Sequence, residues 1–294
     1  MPETAVATPP EQQDAPQPER APRTVRLEPT RGFSRVLSPR ELWRYRDLAV
    51  QIAMRDITLR YRQTALGAAW AILQPLAFMV VFSIIFGRFA GVGSDGLPYA
   101  LFALGGLVPW AFFASTMQLG SESLVMYTEL VSKIYFPRIF MPFGILVAGL
   151  VDLGVSIGLM IVIVLIYGIV PSAAILMVPV LVLIAAAAAL GITSALSAVN
   201  VKFRDVRYVV PFSVQLWFFL TPIVYPNSIL DEPLRTIAAI NPMCGVVEGF
   251  RWAVLNTGSA PLDLIGISAL SATIMLFAGL AYFDRVERTF ADII

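Results

Sequence analysis

The sequence predicts an all-α integral membrane protein: an N-terminal amphipathic interface helix, six transmembrane helices, and short re-entrant helices between spans five and six. Three observations predict it. Of the 294 residues, 57% are apolar and the mean hydropathy is +0.76, beyond the range of an ordinary soluble domain. The apolar residues fall into runs of about 20, the length that crosses a bilayer. Basic residues collect in alternate polar segments, the asymmetry that orients membrane chains.

Residues 1–37 read as a disordered cytoplasmic leader, rich in Pro, Ala, Gln, Glu and Arg and poor in large apolar groups. No apolar core precedes Leu66, so a cleaved secretion signal is not expected. The membrane domain covers 38–294 and opens with the interface helix, 38–63. Ser38 can cap it, Glu41 can reach back to the cap, and Pro39 takes the first helical position. At about 100° per residue, Arg40, Arg44, Asp47, Gln51, Arg55 and Arg62 share one narrow face. Trp43, Leu48, Ile52, Ala53 and Ile57 belong to the broad remainder, while Arg46, Asp56 and Arg60 break the pattern. Such a helix lies in the membrane interface plane; the alternative is a helix of a soluble domain.

Span 1 is expected at 68–87, apolar except for Gln74 and Ser83, and span 2 at 98–119, with Pro109 inside it. The loop 121–138 carries Leu124, Tyr127, Leu130, Val131 and Ile134 at helical spacing, which predicts a short helix stopped by Pro137. Span 3 at 139–170 is longer than a crossing needs and must tilt or project. Span 4 covers 173–199, a tight polar link runs from Asn200 to Tyr208, and span 5 covers 209–225. Pro226, Pro233 and Pro242 then punctuate two apolar pieces too short to cross, which predicts a segment that dips into the membrane and returns. Span 6 covers 262–283. Six crossings put both termini on one side, and the basic residues make that side cytoplasmic.

The composition narrows the chemistry. The lone Cys244 allows no internal disulfide, and histidine is absent, which removes the commonest neutral-pH base and metal ligand. No cluster has metal-ligand spacing, so no metal is expected. No glycine precedes a lysine, so there is no phosphate-binding loop of the Gly-x4-Gly-Lys type. No cofactor is expected on this chain, and no nucleic-acid partner.

Asp152 sits midway along span 3, where a carboxylate costs roughly 2.5–3.5 kcal/mol on insertion scales. It is either a ligand or proton site or a hydrogen-bonded packing residue. Glu248 and Arg251, three apart on a short outer helix, either latch the outer mouth or form a surface pair. Phe78, Phe82 and Phe86 make one stripe of span 1, with Trp110 and Phe113 on span 2 and Trp217, Phe218 and Tyr225 on span 5. An aromatic stripe offers sugar rings a flat sliding surface; packing against lipid is the plainer reading. Tyr127, Tyr135, Phe136 and Phe203 are large apolar groups in loops and need a surface to cover them.

Four stretches carry a family resemblance. They are Arg55 to Arg62 with Leu66-Gly67-Ala68-Ala69-Trp70 and Gln74-Pro75-Leu76; Lys133-Ile134-Tyr135-Phe136-Pro137-Arg138; Asn200 to Asp205 with Phe218 to Pro226; and Asn241-Pro242, Phe250-Arg251 and Phe290-Ala291-Asp292. On these, from about residue 40 onward, the chain resembles the membrane-spanning permease subunits of bacterial ABC exporters for polysaccharides. The resemblance implies a conduit for lipid-linked O-antigen, teichoic acid or cell-wall galactan across the inner membrane, with no catalysis of its own. It implies a partnership with a second copy and with two copies of a separate ATPase that holds ATP and Mg. It implies ATPase coupling through Arg55, Asp56, Arg60, Tyr61, Arg62, Glu129, Lys133, Tyr135, Phe136, Arg138, Arg204 and Asp205, and an outer gate between spans 5 and 6. A drug or small-molecule exporter of the same fold, or a membrane-embedded glycan-processing enzyme, are the alternatives.

Overall fold

The computed structural model describes residues 43, 45–61, 69–128, 136–231 and 233–287. The leader 1–37, Arg62, Glu129, Lys133, Tyr135 and the Phe290-Ala291-Asp292 stretch lie outside these residues. Among the described residues every regular element is helical. They are α1 (Arg46–Tyr61), α2 (Trp70–Phe82), α3 (Tyr99–Met126), α4 (Phe140–Ile166), α5 (Val178–Lys202), α6 (Val206–Leu220), α7 (Leu234–Ala238), α8 (Pro242–Leu255) and α9 (Leu262–Glu287). Wider π-type turns extend α2 through Ser83–Phe89, and a 3-10 turn at Ala173–Met177 leads into α5.

Five of these stretches are long and apolar enough to cross a bilayer: Trp70–Phe89, Tyr99–Met126, Phe140–Ile166, Ala173–Lys202 and Leu262–Glu287. α6, expected as a span at 209–225, starts earlier and stops at Leu220. At 15 residues it rises about 22 Å, short of a hydrocarbon core of about 30 Å. Pro222 explains the stop, because it cannot extend the helix and pushes Thr221 to extended geometry. Two other boundaries move. α3 runs on to Met126, so Leu124 belongs to its last turn rather than to a separate loop helix. Nothing in Gly120–Met126 interrupts the helical ladder, and Ser121 and Ser123 return their hydroxyls to the carbonyls of Gln118 and Gly120. α4 ends at Ile166, just before Gly168 turns the backbone left-handed at φ +77°.

α3 is the most buried of the five spanning stretches and packs on α2, α4, α5, α6 and α8. α5 and α9 approach most closely where Gly191 meets Gly279: a Cβ on Gly279 would fall 1.9 Å from the Gly191 carbonyl oxygen. α2 lies at the rim of this bundle, leaning on α3 and α4 with most of its surface outward.

The sector of α1 that read as one broad membrane face is divided. Ala49, Ile52, Ala53 and Asp56, at spacing i, i+3, i+4, i+7, are buried against α4. Trp43, Val50 and Met54 stay exposed on another side. Asp56, which breaks the sequence pattern, therefore belongs to the packed face.

Candidate functional site

Three places in the fold gather the polar and aromatic residues that the sequence singles out. The first is a groove of about 740 Å³ bounded by α2, α3, α4 and α6. Phe78 and Phe82 reach it from α2, Trp110 from α3 and Phe218 from α6. Phe82 and Trp110 lie 5.7 and 5.8 Å from the Phe218 ring, and Phe78 lies 5.8 Å from Phe82, so the rings form one continuous aromatic wall. Asp152 borders the same groove from α4. Ser156, one turn further along, donates to the Ala71 carbonyl at 3.2 Å and ties α4 to α2. Phe86, Phe113, Trp217 and Tyr225 do not border the groove. Phe113 is buried and stacks edge-on at 5.2 Å against Trp217, backing the wall from behind, while Phe86 continues the stripe 5.6 Å from Phe82.

Sequence reasoning missed the carboxamides. Gln74, Gln118 and Gln215 line the groove from α2, α3 and α6, with Ser115 beside them. Gln74 precedes Phe78 and Phe82 on α2, Gln118 follows Trp110 on α3, and Gln215 precedes Phe218 on α6. Joined by a short loop, α2 and α3 run oppositely. All three amides border the same groove as the ring wall, with Trp70 one turn before Gln74 on α2 and Gln215 three residues before Phe218 on α6. The available signal was an isolated amide in each apolar run.

The second place joins α1 to the end of α3. Tyr127 donates to Asp56 Oδ1 at 2.5 Å, and the Arg55 guanidinium lies 4.3 Å above the Tyr127 ring. Burial first, then the bond to Asp56, push the Tyr127 phenol up to about 12, so it stays a donor at any physiological pH. The close approach needs Gly144 on α4: a Cβ there would lie 2.8 Å from Ile52 and 2.9 Å from Asp56 Oδ2. Phe136 is buried in the same cluster with Phe140, Met141 and Phe283, and the Arg138 amide donates to Glu287 Oε1 at 3.2 Å. Asp56 and Phe136 are thus internal, whereas Arg55, Arg204 and Asp205 are exposed. Arg60 and Tyr61 form the last turn of α1.

The third place is around Arg251, which is only 2% exposed and so forms no surface pair. Its guanidinium donates to the carbonyls of Phe102 (3.1 Å), Pro222 (2.8 Å) and Ile223 (2.7 Å) and to Glu248 Oε1 (2.9 Å). It also lies 3.6 Å over the Phe102 ring. Gly106 leaves it room, since a Cβ there would be 3.0 Å from the guanidinium. The Pro222 and Ile223 carbonyls, just past the end of α6 and outside any helix, are among those that Arg251 collects. Tyr99 donates to the Val224 carbonyl at 2.6 Å, and Asn241 donates to Thr221 Oγ1 at 2.8 Å, so the whole Thr221–Tyr225 turn is pinned to α3 and α8.

Comparison with known proteins adds to this geometry. A family model described as ABC-2 type transporter matches residues 48–255. The O-antigen export system permease protein RfbA of Myxococcus xanthus is 32% identical over 257 residues, covering 86% of this chain and 97% of its own length. Its namesake in Klebsiella pneumoniae is 30% identical over 250 residues, covering 84% and 95%. The polysialic acid transport protein KpsM of Escherichia coli is 24% identical over 241 residues, covering 80% and 91%. The family match spans most of α1, the groove helices and the Arg251 clamp, and this chain belongs to the ABC-2 type transporter membrane family.

Proposed function

We propose that the chain is the membrane-spanning subunit of an ATP-driven exporter that carries lipid-linked polysaccharide from the cytoplasm across the bacterial inner membrane. The observation that carries this reading is the groove, which sets hydrogen-bonding amides beside a continuous aromatic wall among the helices of the bundle. Amides suit hydroxyls, and ring faces suit the C–H faces of sugars. The 32% and 30% identical relatives named for O-antigen export support the same cargo class.

In this reading two copies face each other, so that the groove of each becomes half of a lined path. Two copies of a separate ATPase bind ATP and Mg and drive the cycle by a two-state motion. α6 with the Thr221–Tyr225 turn makes a sixth crossing, which leaves both termini cytoplasmic. α7 and α8 form a re-entrant outer gate, held by Arg251 and Glu248. α1 lies in the inner interface, and Arg55, Arg204 and Asp205 face the ATPase. Depletion of the chain tests this: undecaprenyl- or decaprenyl-linked polymer should accumulate inside the cell and vanish from its surface. Normal surface polymer after depletion would refute it.

A further inference from the structure

The groove carries a selectivity that follows from the charge of its walls. Gln74, Gln118 and Gln215 reach it from three separate helices, with Ser115 beside them. Each carboxamide both donates and accepts, as each sugar hydroxyl does. Among the described residues that line the groove there is no lysine and no arginine, and Asp152 is the sole ionisable group. An anionic repeat unit entering here would leave water and find amides, rings and a carboxylate, with no cation among the described residues that line the groove. Desolvation of an unpaired anion is the strongest penalty a site can impose. A neutral repeat unit meets no such penalty, because amides replace the water it loses. Discrimination of this kind works by repelling the wrong partner as much as by holding the right one.

We infer that the groove selects an uncharged polyhydroxylated glycan over a polymer bearing carboxylate or phosphate, and that Gln74, Gln118 and Gln215 determine this specificity. The inference rests on the export reading and narrows its cargo, favouring a neutral O-antigen or galactan over a teichoic acid.

The test uses the full chain in phosphatidylcholine nanodiscs, titrated with a neutral galactohexaose and with a sialic acid hexamer. Trp70 and Trp110 line the groove, so tryptophan fluorescence reports occupancy. The neutral hexamer should bind at least tenfold more tightly than the anionic one. Gln118→Lys should bring the two within threefold by supplying a cation, and Gln215→Lys gives the same reading from another helix. The signal should disappear in a Trp70→Phe, Trp110→Phe double variant; its persistence would overturn the inference by placing binding elsewhere. Equal affinities in the wild-type chain would overturn the selectivity while leaving the export reading intact. A chain that binds neither hexamer would overturn both.

Discussion

Arg251→Met should loosen the Thr221–Tyr225 turn more than any other single change to a polar side chain. The wild-type guanidinium closes four hydrogen bonds of 2.7 to 3.1 Å, two of them to the Pro222 and Ile223 carbonyls, which have no helix to serve them. Methionine fills similar volume and donates nothing. Each carbonyl left without a donor costs about 1–3 kcal/mol, reduced where water can enter. Glu248, with its side chain 17% exposed, loses the cation beside it. Breaking a buried pair from one side costs about 3–5 kcal/mol. Taking that range as a floor, the melting temperature should fall by between about 6 and 20 °C at 2–4 °C per kcal/mol. Arg251→Lys should fall in between, since an ammonium has three donors and no planar fork. Glu248→Gln added to Arg251→Met should recover part of the loss, because the uncompensated carboxylate is then gone. Thermal scans of the detergent-purified chain, read by the monodisperse fraction in size exclusion, measure all three. An Arg251→Met chain that melts within about 1 °C of wild type would refute the burial and the bonding pattern together.

Three further outcomes are expected. Tyr127→Phe removes one charge-assisted bond and should cost about 1.5–3 kcal/mol in the same melting assay, with Asp56→Ala costing at least as much. Gly144→Leu should force α1 off α4, seen as faster protease cleavage around Arg46–Arg55, while cleavage within α5 and α9 stays at the wild-type rate. In a Cys244→Ser background, Gln118→Cys should label quickly with a water-soluble maleimide and Phe113→Cys should not, because Gln118 opens to the groove and Phe113 is buried behind its wall. Equal labelling of the two would contradict the placement of the wall.

Much of this architecture was legible because its causes are local. A run of apolar residues such as Phe140–Ile166 can only be a helix in lipid, since every backbone group must then bond within its own segment. Phe78 and Phe82 shared a stripe by helical period alone. Boundaries were less legible where a local signal had competitors: Pro222 ended α6 inside its expected span, and Gly120 failed to end α3 although glycine often does. The second layer of the aromatic wall could not be separated from the first, because spacing tells which residues share a face but not what that face meets.

By itself the sequence determined a helical membrane chain, the order of its apolar segments and the rarity of charge within them, because hydropathy and period depend on neighbours along the chain. Only the tertiary structure decided what the rare polar groups do. Arg251 and its Phe102 acceptor are 149 residues apart, and Tyr127 and Asp56 are 71 apart. Three glutamines on three helices become one surface only when those helices pack. A buried polar group takes its partner from whatever surrounds it in space, so its role depends on helix packing rather than on its sequence neighbours.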